Sequence, residues 1–90
     1  MISSEVTATV YVICDKNHQK LAMSKLTHYL QNIDYPVDDL DIHAFGDGDI
    51  EIEAKMIATS IDNHLLDHVV KEMIALEYVK QAFWSPSTSE

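Results

Sequence analysis

Polar and apolar residues alternate with a period of two at the start of the chain. Val6, Ala8, Val10, Val12 and Cys14 share one face of an extended strand, and Thr7, Thr9, Tyr11 and Ile13 share the other. Neither face carries a charge, so the pattern predicts a strand in the middle of a sheet. The period then lengthens. Ala22, Leu26, Tyr29, Leu30 and Ile33 recur at helical spacing, with Lys20, Lys25, Gln31 and Asn32 left for solvent, and Asp15 or Asn17 can cap the first turn. Pro36 ends this helix by biasing Tyr35 toward extended backbone.

A second strand is predicted over residues 37–45, with Leu40, Ile42 and Ala44 facing a core and Asp39, Asp41, His43 and Phe45 facing away. That half-polar pattern marks an edge strand. Gly46-Asp47-Gly48 signals a hairpin, because glycine accepts the positive φ of tight turns. The third strand places Ile50, Ile52, Ala54, Met56 and Ala58 inward and Glu51, Glu53, Lys55 and Ile57 outward. Thr59, Ser60 or Asp62 then caps a second helix whose stripe is Leu65, Leu66, Val69, Val70, Met73 and Ile74. A last strand, residues 78–84, alternates irregularly, as a bulge would make it, and leaves the face of Trp84 open. Residues 1–5 read as a disordered start or expression remnant and residues 86–90 as a disordered tail.

The order β-α-β-β-α-β with one central hairpin predicts a single α+β domain over residues 6–85. It forms a four-stranded antiparallel sheet with both helices on one face. Right-handed crossovers put the first and third strands in the centre.

Composition narrows the partners. The 90 residues carry 15 acidic and 6 basic side chains for a net charge of -9, and every basic residue is lysine. Such a chain repels nucleic-acid phosphates and anionic lipid. No apolar run approaches the roughly 18 residues of a membrane-spanning helix. A lone Cys14 on a buried strand reads as a small hydrophobe in a reducing compartment.

Absences narrow the chemistry. Soft-metal transfer at the loop after the first strand needs two thiolates, and Cys14 has no partner. A phosphate fork there needs arginine, and the chain has none. RNA stacking needs aromatic residues on the outer face of the third strand, where Glu51 and Glu53 stand. His64 and His68 lie four apart on a helix beside Asp67, but two ligands on an exposed face do not make a metal site. No nucleophile has a base at a readable spacing, so no catalytic residue and no enzyme is expected.

Two surfaces remain. Asp39, Asp41, Asp47, Asp49, Glu51 and Glu53 crowd the hairpin, offering hard oxygen ligands that suit Mg2+, although they alternate along strands as a solvated face does. The uncovered sheet face carries Tyr11, Ile13, Phe45 and Ile57, with Trp84 as a further member. So many large apolar groups on one face predict protein contact more than a small-molecule pocket.

Val10-Tyr11-Val12-Ile13-Cys14-Asp15-Lys16 and the ending Val79-Lys80-Gln81-Ala82-Phe83-Trp84-Ser85 with its short polar tail, in this element order, resemble the C-terminal domain of the MgtC/SapB family. The resemblance covers residues 6–85. It implies a ferredoxin-like, ACT-like fold, the ACT domain being a regulatory βαββαβ module. It also implies a cytoplasmic domain that follows the membrane-spanning helices of a bacterial inner-membrane protein. The family is named for Mg2+ transport and is associated with growth at low Mg2+, virulence and modulation of the membrane ATP synthase. By the same resemblance the chain is a non-catalytic regulatory or interaction domain with no resident cofactor, pairing with a second copy through a sheet edge or the open face and binding no nucleic acid. Asp15, Lys16 and Asn17 would form an effector loop, but the glycine that amino-acid-binding ACT loops carry near the helix start is missing. The alternatives are a Mg2+-sensing domain built on the acidic hairpin and a free-standing ACT-like small-molecule binder.

Overall fold

A computed structural model describes residues 5–88. Four strands, β1 (Val6–Asp15), β2 (Asp39–Phe45), β3 (Asp49–Ala58) and β4 (Val79–Thr88), alternate with helices α1 (Gln19–Asn32) and α2 (Asn63–Ile74). The strands form one antiparallel sheet in the order β2-β3-β1-β4, so the two most regular strands are central and β2 and β4 are the edges. This is the ferredoxin-like, ACT-like arrangement that the element order predicts.

One face of the sheet makes the core. Val10, Val12 and Cys14 of β1 and Ile52, Ala54 and Met56 of β3 join Ala22, Leu26 and Leu30 of α1 and Leu66, Val69 and Met73 of α2 in one buried cluster. The α2 stripe is narrower than its sequence implies. Leu65 and Ile74 are exposed, and Ile74 keeps 50% of its surface in solvent.

Local signals set the helix ends. Asp15 Oδ1 accepts from the Asn17 amide at 3.0 Å and caps a short 3-10 turn, Lys16–His18, that leads into α1. Asp62 Oδ1 caps α2 by accepting from the His64 and Leu65 amides at 2.9 and 3.3 Å. The far end of α1 closes through two amides that reach back, Tyr35 to the Leu30 carbonyl at 2.9 Å and Asp34 to that of Gln31 at 3.1 Å. That Schellman pattern holds Asp34 at φ 64, a left-handed conformation that glycine adopts more easily. Tyr35 continues inward, and its hydroxyl accepts from the Asp62 amide at 2.8 Å, joining the end of α1 to the start of α2.

The irregular last strand has a definite cause. Ile13 pairs with Gln81 but Cys14 pairs with Val79, so Lys80 is an extra residue and β4 bulges there. Beyond the bulge β4 runs on to Thr88, with Trp84 opposite Val10, Pro86 opposite Ala8 and Thr88 opposite Val6. The strand is therefore longer than residues 78–84, and Pro86–Thr88 are not a disordered tail. Pro86 is tolerated because β4 is an edge. The expected lead-in over residues 1–4 and the last two residues of the expected tail lie outside the described residues.

Candidate functional site

The sheet face opposite the helices is built of cross-strand rows whose members sit about 4.8 Å apart. The middle row reads Asp41, Glu53, Tyr11, Phe83 from β2 to β4, since Asp41 pairs with Glu53, Glu53 with Tyr11, and Tyr11 with Phe83. One neighbouring row reads His43, Glu51, Ile13, Gln81, and the other reads Asp39, Lys55, Thr9, Ser85. The face is thus divided lengthwise, acidic over β2 and β3 and aromatic at the centre of β1 and β4.

The aromatic half is a stacked pair. The Tyr11 and Phe83 rings lie 4.8 Å apart at 18°, and Phe83 keeps 40% of its surface exposed. Such a pair is worth about 1 kcal/mol beyond its buried area. Yet the exposed side gains nothing in the isolated chain.

Salt bridges hold part of the acidic half. His43 Nε2 stands 2.9 Å from Glu53 Oε1, and Lys80 Nζ donates to both Asp49 oxygens at 2.8 and 3.0 Å. The bond from Asp49, with its charge, holds the Lys80 ammonium above its ordinary pKa. Because β1 lies between β3 and β4, this bridge crosses over the end of β1. Asp41 and Glu53 face each other directly, a like-charge pair that costs stability.

Two members of the predicted interaction face are not available on it. Ile13 is only 4% exposed, because it lies in the central strand between Glu51 and Gln81, beside the Lys80–Asp49 bridge. Trp84 belongs to the helix side. It is partly buried against the core, and its indole N–H donates to Asp67 Oδ1 of α2 at 2.8 Å. Phe45 and Ile57 are exposed on the open face but near its opposite ends, opposite Asp49 and Thr7. Phe83, absent from the prediction, takes the place assigned to Trp84. The signal was legible: two polar residues, Lys80 and Gln81, between Val79 and Ala82 mark the bulge, and alternation restarted from Ala82 sends Trp84 in and Phe83 out.

The other candidates do not assemble. Among the described residues no three His, Cys, Asp or Glu side chains converge as metal ligands would. Asp39 and Asp41 of β2 and Glu51 and Glu53 of β3 alternate along two strands and Asp47 lies in the turn between them, with Asp49 tied to Lys80 and Glu53 to His43. His68 is paired with Glu72 at 2.7 Å and Asp67 with Trp84, which separates the His64, His68 and Asp67 group. At the first loop, Asp15 is committed to the Asn17 amide, which holds its carboxyl below the ordinary value. Its second oxygen lies 3.4 Å from His18 Nδ1, without the geometry of a hydrogen bond. The His18 ring stacks on Tyr78 at 4.7 Å. Lys16 and Asn17, with Gln19 and Lys20, line an open depression of about 280 Å3. Cys14 is buried, and burial raises its thiol pKa, so it stays protonated and inert.

The comparisons agree with this architecture. The family model described as the MGTC/SAPB C-terminal domain matches residues 9–84. The solution structure of the C-terminal domain of MgtC from Mycobacterium tuberculosis superposes with a TM-score of 0.83 at 17% identity, covering 100% of this chain and 94% of that one. The ACT domain of GTP pyrophosphokinase from Chlorobium tepidum, in its solution structure, gives 0.63 at 12% identity, over 90% of this chain and 86% of that one. A de novo designed protein, Foldit4, also gives 0.63 at 9% identity, over 96% and 99%. At these identities the likeness is one of fold, and the designed protein illustrates that the fold by itself specifies no function. Among curated proteins none matches the sequence. Among the described residues no helix is long and apolar enough to cross a membrane.

Proposed function

The chain belongs to the MgtC/SapB C-terminal domain family, and we propose that it is a non-catalytic regulatory or interaction domain whose working surface is the open sheet face around Tyr11 and Phe83. The observation that carries the reading is that stacked pair, a half-buried Tyr11 under an exposed Phe83, at the centre of a face that neither helix covers. Large apolar rings grouped at the centre of an uncovered sheet face are the kind of surface that meets another chain.

Both edges are poorer surfaces for pairing. β4 carries a bulge with Lys80 at one end and Pro86 near the other, while β2 is only seven residues long and bears Asp39 and Asp41. Short strands, bulges, proline and charge are the devices that keep sheet edges from joining. The open face remains for a second copy or another chain.

Family membership supports a wider role. The domain would sit on the cytoplasmic side of an inner-membrane protein concerned with growth at low Mg2+ and with virulence, transmitting a protein contact rather than performing chemistry. The test replaces Tyr11 and Phe83 by serine in the protein joined to its membrane segment, with Leu21→Ser on the outer side of α1 as control. At unchanged abundance, the open-face variant is expected to lose growth at low Mg2+ and the control to keep it. Normal growth of the open-face variant overturns the proposal.

A further inference from the structure

Charge is sorted along this chain as sharply as hydrophobicity. Residues 34–53 hold eight of the 15 acids and no lysine, whereas residues 16–33 hold Lys16, Lys20 and Lys25 and no acid. The first segment supplies β2 and half of β3, so five of its acids, Asp39, Asp41, Asp49, Glu51 and Glu53, lie on the acidic half of the open face. The second supplies α1, on the other side of the molecule.

The aromatic pair meets that acidic half in the middle row. Tyr11 stacks on Phe83 across β1 and β4, which turns the far side of its ring toward β3. There the register sets Glu53, with Asp41 beyond it. His43 steadies Glu53 at 2.9 Å from the β2 side. A ring face next to two carboxylates is the environment a flat cation fits, because a guanidinium can lie on the ring while its N–H groups donate to the carboxylates. An ammonium has no plane to stack, and the lysines of this face are already placed, Lys55 opposite Asp39 and Lys80 on Asp49.

Resting on the reading that the open face is the working surface, we infer that its occupant is an arginine-bearing segment of another protein, with a guanidinium on Tyr11 and its N–H groups on Glu53 and Asp41. A second copy of these 90 residues does not supply that group. The chain has no arginine, and its net charge of -9 opposes bringing two acidic faces together. Nucleic acid and anionic lipid are repelled by the same carboxylates.

Hexa-arginine and hexa-lysine peptides, titrated separately into the 15N-labelled chain at low salt, test the inference. Hexa-arginine is expected to bind more tightly and to move the amides of Tyr11, Glu53 and Phe83 most. Tyr11→Leu, which keeps apolar bulk without a ring face, should weaken hexa-arginine about threefold, as loss of a cation–π contact at an exposed site does, and leave hexa-lysine unchanged. Glu53→Gln with Asp41→Asn should weaken both peptides. Equal binding of the two peptides, or shifts confined to the hairpin acids with Tyr11 unmoved, overturns the inference. If that happens while the Tyr11 and Phe83 serine variant still fails to support growth, the working surface stands and the arginine assignment alone is wrong. Growth of that variant removes both.

Discussion

Trp84 decides which side of the sheet is which, and Asp67→Ala probes it. Its indole N–H donates to Asp67 Oδ1 at 2.8 Å, linking β4 to α2 across the covered side of the sheet. A hydrogen bond to a charged partner contributes about 1.5–3 kcal/mol when desolvated, and less at a partly exposed site such as this one. Asp67→Ala should therefore cost about 1 kcal/mol, with Asp67→Asn in between because the amide oxygen still accepts. For a chain of this size that is a fall in melting temperature of about 4–8 °C, or about 1 M in urea midpoint at an unchanged slope. Trp84 is the one tryptophan, so its fluorescence reports both the unfolding and its own surroundings. The variant should unfold earlier, and the folded-state emission should change as the indole loses its partner. If Trp84 instead stood on the open face, Asp67→Ala would leave both emission and stability untouched, and the assignment of Phe83 to that face would fall with it.

Other substitutions separate the remaining placements. Ile13→Ala, at a site 4% exposed, should cost about 2–4 kcal/mol in urea unfolding, whereas Ile57→Ala on the same face should cost less than about 0.5; equal costs would contradict the burial of Ile13. Asp34→Gly, at φ 64 in the α1 cap, should raise stability by about 0.5–1 kcal/mol, and a loss would contradict the left-handed geometry. Asp41→Lys should stabilise by about 0.5 kcal/mol by replacing the like-charge pair with Glu53, and no gain would mean that the two carboxylates do not face each other. The Asn17 amide, with His18 nearby, holds the Asp15 carboxyl below its ordinary 3.8. The cap's contribution is then complete above pH 3.8 and lost as pH falls through the lower folded value, so the Asn17 amide resonance should titrate with a midpoint below 3.8. A midpoint at or above 3.8 contradicts the cap.

The parts of this fold that a period can express were legible in the sequence. Charge-free alternation on both faces of β1 marked a central strand, the half-polar pattern of β2 marked an edge, and the stripe of Ala22, Leu26 and Leu30 marked the buried side of α1. What escaped depends on register, which period does not carry. A one-residue bulge at Lys80 reverses the faces of every later residue in β4, and so exchanges Phe83 with Trp84. The extension of β4 to Thr88 escaped for another reason. The stretch Ser85-Pro86-Ser87-Thr88 carries no apolar alternation, and the strand persists there through its backbone ladder to β1. The alternation of β1 puts Ile13 on the open face but says nothing of its burial, since the Lys80–Asp49 bridge near it joins residues 31 apart in sequence. The acids of the hairpin were equally legible one by one. Their alternation along the strands was legible too, and the register adds that Glu53 and Asp41 stand in the row of Tyr11.

Whether the open face works through the Tyr11–Phe83 pair can be read from a 19F-bearing phenylalanine analogue. Placed at position 83, or at position 45 as the control, it gives one resonance that can be compared between the free chain and the chain joined to its membrane segment in native membranes. The resonance at position 83 should shift or broaden in the membrane-joined protein, the one at position 45 should change little, and Tyr11→Ser should abolish the difference. A resonance at position 83 that is the same in both settings would contradict it.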